Sequence, residues 1–555
     1  MEKEFQMNRK SWIFVLTILA LLLSSATAVA LAQHRPSYAD GVYAAVPLKD
    51  NPSDLIAPAQ ITATTYITVT STADDYNDGY STKCSDVPPD ECTLRRAINQ
   101  AYGLTGGERP VAIIFQIPLT DTGYNPTLNI WKIELSGTTA YDLRELYGQT
   151  ILDGSTQPGG RPNDPKIIID GLENHNNGLI LRQGENTVRG LAMQNFLNAH
   201  IVLSSNDNTI EDCWFGLSDD GMFLSAGDET TPEGGSGVSF SAGVTDNTVR
   251  NNLFAGFYET AAAIRGDYNT FSGNWIGMRA DGTVPIPGGF DQHPCMSGAW
   301  AGGVGITIQG IENQIGGPTE AEGNRFAGLF LDTTDQSPAM DISGSGEGST
   351  IQNNVIGLDA TDTVIGVCGR GLDMGNGPQN LQIIDNVIVE TGLSAFFMNG
   401  SSLNGNTLQG NIIKRESSWP PEQGANPFPE DAIAYGPTVP DELRTFTPAQ
   451  VLEVNGTTVT GAAGEGSPCP NCTIEVFLDD TDAITETLQS LDLVTADGNG
   501  DWTATLPAEL EPGEGLRTMS TVPDSFTIPG LDPGTTSNLS VLYAEYLVFL
   551  PLIYK

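Results

Sequence analysis

Between about residues 178 and 413 the chain repeats one short phrase, and that repeat limits the fold more than any other feature. An apolar run such as Gly178-Leu179-Ile180-Leu181 is followed by a polar turn, then Asn186-Thr187-Val188, then another apolar run. Related copies are Asn208-Thr209-Ile210, Asn247-Thr248-Val249, Asn269-Thr270-Phe271, Ser349-Thr350-Ile351 and Asn406-Thr407-Leu408. Several continue to a second Asn before an apolar pair, as in Asn274-Trp275-Ile276 and Asn354-Val355-Ile356. The basic period is 22 residues, from Asn186 to Asn208 and from Asn247 to Asn269. Strands of three to five residues at this period predict a parallel β-helix. Each coil carries three short strands, coils stack ~4.8 Å apart, and inward Val, Ile, Leu and Phe pile into columns. Asn at equivalent turns is expected to adopt the left-handed conformation and to stack as an amide ladder. Parallel crossovers are right-handed, so a right-handed helix of about ten coils is expected over 111–415. A leucine-rich repeat would need its own Leu and Asn spacing, which is absent.

A longer period overlies the short one. Phe215-Gly216, Ile276-Gly277 and Ile356-Gly357 each open a polar insertion with acidic residues: Asp219-Asp220-Gly221, Asp281-Gly282-Thr283 and Asp359 to Asp362. Long coils are therefore expected to alternate with short ones, their insertions emerging on one side of the solenoid, where solenoids usually carry function. The candidate binding residues on that side are Asp219, Asp220, Arg279, Asp281, Asp359, Asp362 and Arg370. Trp214 and Trp275 occupy equivalent repeat positions and read as core.

The ends have their own signatures. Lys3, Arg9 and Lys10, an apolar Trp12 to Leu23, and Ala30-Leu31-Ala32 form a signal-peptide pattern over 1–32, too short for a membrane span. Residues 33–65 read as a linker. Over 66–110 a strand precedes a short amphipathic helix that places Leu94, Ala97, Ile98 and Ala101 on one face, a cap for the open end of the stack. Residues 416–448 read as a linker or end cap, 449–543 as a small antiparallel sandwich, and 544–555 as an apolar tail.

With 68 Asp+Glu against 25 Lys+Arg, the net charge of −43 argues against nucleic acid and anionic membrane surfaces, which would repel the chain. Seven cysteines suit an oxidising compartment. Cys84 with Cys92 and Cys469 with Cys472 are expected as local disulfides, and Cys213 as an unpaired buried thiol. Cys295 and Cys368 stand in two long-coil insertions and are expected to be joined across them.

Three motifs together resemble those of a family of bacterial secreted β-helix proteins. Cys92-Thr93-Leu94-Arg95-Arg96-Ala97-Ile98 is similar to the family's C-S-L-R-E-A-I cap motif, with Arg96 where the family usually has Glu. Asp153-Gly154-Ser155-Thr156-Gln157-Pro158-Gly159 resembles its D-G-T-T-Q-P-G turn, and Asn269 to Thr283 its N-T-I-x-G-N-x-I-G coil. Cys469 to Phe477 and Gly500-Asp501-Trp502 resemble the Ig-like domain often attached to it. The resemblance implies a pectin-lyase-like solenoid followed by an Ig-like β-sandwich, and carries no established reaction.

The same fold houses pectate lyases and polygalacturonases. A hydrolase of that kind needs paired carboxylates on neighbouring coils, and its Gly-His-Gly and Arg-Ile-Lys motifs are absent here. Asp219-Asp220 is a candidate pair but reads as solvated. Lysine looks scarce in the coils, with Lys166 and Lys414 at their ends, which weighs against a lyase base. The expectation is a secreted or cell-surface protein, non-catalytic, presenting a loop-lined face to polysaccharide or a partner protein. A polysaccharide lyase or hydrolase is the alternative, favoured by a groove with Arg and several Asp on adjacent coils. No cofactor is expected, calcium being the one ion the acids would admit.

Overall fold

The computed structural model describes residues 62–138, 142–225, 234–284, 303–329, 338–343, 346–375, 377–415, 431–462, 469–482, 484–525 and 528–544. The expected signal segment, most of the 33–65 linker, residues 416–430, Cys295 and almost all of the apolar tail lie outside them.

The chain winds into a right-handed parallel β-helix with three faces. The first face is an 11-stranded parallel sheet, and ten of its strands start at or after Val111. Its central residues stay in register from coil to coil: Ile67, Ile113, Leu152, Val188, Ile210, Val249, Phe271, Ile315, Ile351, Ile383 and Leu408. All are buried. The second face contributes a matching inward column through Met193, Phe215, Phe254, Ile276, Phe326, Ile356, Ile388 and Ile413. The third face runs through Ser236–Phe240, Thr260–Ile264, Val304–Ile308, Met340–Ile342, Leu372–Gly375, Phe396–Asn399 and Ile433–Tyr435. Strand Thr65–Val69, from the segment expected as cap, and strand Ile433–Tyr435, from the segment expected as linker, both join these parallel sheets.

Two corners of each coil carry asparagine ladders. One runs Asn186–Asn208–Asn247–Asn269–Asn313, each side-chain amide donating to the next Oδ1 at 2.8–3.3 Å. It ends where Ser349 takes the Asn position and accepts from the Asn313 amide nitrogen. The other runs Asn252–Asn274–Asn324–Asn354–Asn386–Asn411. Rungs of the first ladder are 22, 39, 22 and 44 residues apart, and those of the second 22, 50, 30, 32 and 25. Long and short coils thus alternate only in the first half.

The expected left-handed Asn is corrected. The positive-φ residue stands one place earlier, at Glu185, Asp207, Asp246, Tyr268 and Glu312 on one corner and at Asn251, Asn353 and Asp385 on the other. That residue turns the chain and points outward. The Asn behind it keeps ordinary φ and faces inward, its Oδ1 accepting a backbone amide of the preceding coil and, along the second ladder, its Nδ2 donating to a carbonyl of that coil. Strands are also longer than expected in the early coils: Ile167–Arg182 and Leu191–Leu203 pass unbroken from second to third face, bending at positive-φ Leu172, Glu173 and Asn195.

Both ends are covered. At the N-terminal end, Thr93 caps the α-helix Leu94–Tyr102, which buries Leu94, Ala97, Ile98 and Ala101. Arg95 is itself buried and forks onto Asp74 at 2.7 and 2.8 Å. Arg96, the departure from the family motif, donates to Asp78 at 2.7 Å. Past the last coil, two three-stranded antiparallel sheets form the small sandwich: Gln450–Asn455, Thr458–Ala462 and Asp501–Thr505 in one, Gln489–Thr495, Thr473–Asp480 and Glu514–Thr521 in the other. The sandwich plugs the open sheet edge. Thr535 and Thr536 accept from the Gly405 and Leu408 amides, Thr487 exchanges backbone hydrogen bonds with Ile413, and Glu475 accepts from Gly410. An unpaired edge would invite another chain, and these groups remove that option.

Cys84–Cys92 and Cys469–Cys472 are disulfides, and Cys213 is a buried free thiol inside the coil. Cys368 is disulfide-bonded, and its expected partner Cys295 lies outside the described residues. No helix among the described residues is long and apolar enough to cross a membrane.

Candidate functional site

Six of the seven residues singled out from the sequence sit in stacked insertions over the second face. The insertions rise from Gly216, Gly277 and Gly357 and lie on one another: the Ala280 amide donates to Gly221 at 3.0 Å and the Ala360 amide to Gly282 at 2.9 Å. They cover the outward residues of the coil, including Trp214 and Trp275, which belong to a second, smaller apolar cluster with Leu217, Leu224, Met278 and Ile365. The two tryptophans are thus buried, but outside the coil rather than within its core.

The insertion carboxylates serve the insertions themselves. Asp220 accepts from Ser218 Oγ and the Met222 amide, and Asp281 from the Thr283 amide and hydroxyl. Asp359, 2 % exposed, accepts from Thr361 and Thr363. Asp362 receives Arg325 Nη1 at 2.8 Å, and Arg279 closes a turn onto Thr283, its guanidinium 6.0 Å from the Phe223 ring. Asp219 is not merely solvated. It accepts Lys132 Nζ at 3.1 Å and Gln194 Nε2 at 3.0 Å, while Lys132 also pairs with Asp170 at 2.8 Å. Burial opposes the Lys132 ammonium, but hydrogen bonding to Asp170 and the two nearby carboxylates outweigh it and hold its pKa above the ordinary lysine value. Lys132 corrects the view that lysines stand only at the ends of the coils. These contacts lock the first insertion onto the second face.

Arg370 stands apart, on the third face, and it marks a different constellation. Met340 and Ile342 face the core, so Asp341 between them faces out. Leu372 and Met374 do the same for Asp373 on the next coil. The two aspartates are register partners, and Phe397 follows in the same column on the coil after. Adjacent rungs at the same position are ~4.8 Å apart. Arg370 donates to Asp373 at 2.9 Å and lies over the Phe397 ring at 3.5 Å from its centroid. Among the described residues the Asp341 side chain makes no hydrogen bond or ion pair. Burial, and then the neighbouring Asp373, push its carboxyl up to about 6. The arrangement offers a carboxyl that is in part protonated near neutrality beside one held by an arginine.

Sequence reasoning missed Asp341, Asp373 and Phe397. The signal was present: Met340-Asp341-Ile342 and Leu372-Asp373-Met374 are apolar–Asp–apolar triplets at one strand position of consecutive coils. The insertion acids drew attention instead because they cluster in sequence.

In the sandwich, Asp479, Asp480 and Glu486 bring oxygens within 4.8 Å of one another, the one such grouping among the described residues. Arg517 already pairs with Asp479 there. Burial, followed by the adjacent carboxylates, outweighs the hydrogen bond from the Arg415 amide and pushes Glu486 up to about 8.

No family model matches the chain. No curated protein matches it either. Among solved structures it is similar to an alginate lyase from Paenibacillus sp., at 11% identity over 68% of this chain and 99% of that one, with a TM-score of 0.28. It is also similar to the A-module of a mannuronan C-5 epimerase from Azotobacter vinelandii, at 12% identity over 65% and 95%, TM-score 0.31. A capsular polysaccharide depolymerase tailspike from an Acinetobacter baumannii bacteriophage matches at 9% identity over 78% and 76%, TM-score 0.24. The fold stands on the strand register described above, and no residue role is carried over from these proteins.

Proposed function

We propose that this is an exported protein whose coils hold a polysaccharide chain along the third face, centred on Asp341, Asp373, Arg370 and Phe397. The observation that carries the reading is the outward column itself: two carboxylates on adjacent rungs, an arginine beside them and an aromatic ring on the next rung. Carboxylate and guanidinium groups at fixed spacing suit the hydroxyls of a sugar chain, and a face that repeats from coil to coil suits a polymer. The reading takes 1–32 as a signal peptide, the segment around Leu94–Tyr102 as the CSLREA-type cap and the C-terminal sandwich as an Ig-like module. Two disulfides support export. No cofactor enters the reading, so calcium removal leaves binding unchanged.

Affinity electrophoresis through gels containing neutral and acidic polysaccharides tests it. Wild-type protein is expected to be retarded by at least one glycan, and Arg370→Ala to lose most of that retardation while migrating normally in a blank gel. Retardation by none of the glycans, or an Arg370→Ala variant retarded as wild type, overturns the proposal.

A further inference from the structure

The sandwich meets the last coil through buried acids as well as apolar groups. On the strand Thr473–Asp480, Glu475, Phe477 and Asp479 alternate with Ile474, Val476 and Leu478, so the first three share one face. Phe477 and Met519 line an apolar pocket with Leu408, Ile413 and Ile433 of the coil, which makes that face the one turned to the coil. Both carboxyl oxygens of Glu475 accept the Gly410 amide, at 2.9 and 3.1 Å, and one accepts Ser490 Oγ at 2.6 Å. Glu486 accepts the Arg415 amide. Glu475, Asp479 and Glu486 are at most 5 % exposed.

The charged groups at this joint are mostly acids. Asp479, Asp480 and Glu486 bring oxygens within 4.8 Å of one another, and Asp482 stands close enough to act on Glu486. Arg517 faces them and pairs with Asp479, while the Arg415 guanidinium donates to the Leu393 carbonyl. Glu475 feels Asp385 of the coil. Carboxyls this close and this buried resist ionising together, so the seated joint holds protons that a separated one gives up.

We infer that the joint between coil and sandwich is a pH-operated catch, seated while Glu475 and Glu486 carry protons and released when they ionise. Burial first, and then the neighbouring acids, outweigh the hydrogen bonds and raise both groups above the ordinary glutamate value, Glu486 to about 8. A carboxyl raised in the seated state takes up protons on seating, so seating is favoured at low pH and weakens as pH rises. For Glu486 alone the seating constant falls by up to about tenfold per pH unit between about 4.5 and about 8, then levels off. The Thr487, Thr535 and Thr536 hydrogen bonds of the joint contain no titrating group and do not offset this. The inward columns and asparagine ladders of the coil contain no carboxyl, so the coil keeps its fold over the same range. Release bares the Gly405, Leu408, Gly410 and Ile413 amides.

Hydrogen–deuterium exchange of the full chain at about pH 6 and about pH 9.5, with labelling times scaled for base-catalysed exchange, reads that opening. The amides of 405–413 are expected to lose about 100-fold of their protection, tenfold for each unit between about pH 6 and about pH 8. Thr270–Ser272 in mid-coil and Thr458–Ala462 within the sandwich are expected to keep theirs, and return to pH 6 to restore the joint. Glu475→Gln combined with Glu486→Gln is expected to remove most of the loss. Asp480→Asn, at a half-buried residue whose bond from the Asp482 amide asparagine can keep, is expected to reduce it and serves if the double variant does not fold. Equal protection of 405–413 at both pH values overturns the inference. A loss shared by Thr270–Ser272 is general unfolding and overturns it too, as does a loss that neither the paired Gln variant nor Asp480→Asn diminishes.

Discussion

Asn324→Ala tests the physical basis of the coil most sharply. Asn324 is fully buried and makes four side-chain hydrogen bonds. Its Oδ1 accepts the Asn274 amide and side chain, both at 3.0 Å. Its Nδ2 donates to the Phe271 carbonyl at 2.8 Å and to Asn354 Oδ1 at 2.9 Å. Alanine leaves the two side-chain partners with other bonds, since Asn274 Nδ2 still reaches Val249 and Asn354 Oδ1 still accepts the Asn324 amide. The Asn274 amide loses its partner, and the Phe271 carbonyl, a mid-strand group, loses one bond. One buried orphan at about 1–3 kcal/mol, one lost hydrogen bond at about 1 kcal/mol and a small cavity place the loss at about 2–4 kcal/mol. Thr270→Ala is the control: its side chain faces outward from the first face in the neighbouring coil, and its loss should stay below about 1 kcal/mol. Guanidinium unfolding followed by tryptophan fluorescence reads both midpoints. Hydrogen exchange at 270–276 and 325–326 reads the local opening, because a solenoid need not unfold in one step. An Asn324→Ala midpoint equal to that of Thr270→Ala would refute the reasoning.

Further outcomes follow from the ends and the interior. Removing residues 449–555 leaves the Gly405, Leu408, Gly410 and Ile413 amides without their partners, and the shortened chain is expected to self-associate on light scattering; a stable monomer contradicts the plug. Glu486 has a folded pKa of about 8 against an ordinary 4.5, so its contribution is fully present below about pH 4.5 and is lost as pH rises through about 8. Glu486→Gln should therefore raise stability at pH 7 by up to about 3 kcal/mol and change little at pH 4; equal effects at both pH values would contradict the burial. The Cys213 thiol, pushed up by burial, should resist alkylation in native protein and react on unfolding.

The coil was legible in the sequence because its core and its ladders repeat as residue types: every central inward position of the first face is Val, Ile, Leu or Phe, and nearly every ladder position is Asn. The turn conformation was not, because the left-handed residue is Glu, Asp, Tyr, Asn or Gly from coil to coil, and only its position is constant. The insertions were legible as stacked loops on one side. Their acids were not legible as turn-closing groups, since Asp220, Asp281 and Asp359 find their donors only once the turn is folded. Lys132 lies 87 residues before Asp219, a separation that hides the pair until the second face forms. Asp341 and Asp373 were hidden by being single polar residues inside apolar triplets, where the eye reads core. How the sandwich meets the coil depended on Thr487, Thr535 and Thr536, residues without any distinctive pattern.

Hydrogen–deuterium exchange of the full chain, with and without a glycan that retards it, tests the central claim most directly. The account predicts protection confined to the third-face strands Met340–Ile342, Leu372–Gly375 and Phe396–Asn399. Protection on the first face, at Thr209–Glu211 through Gln314–Gly316, with the third face unchanged would contradict it.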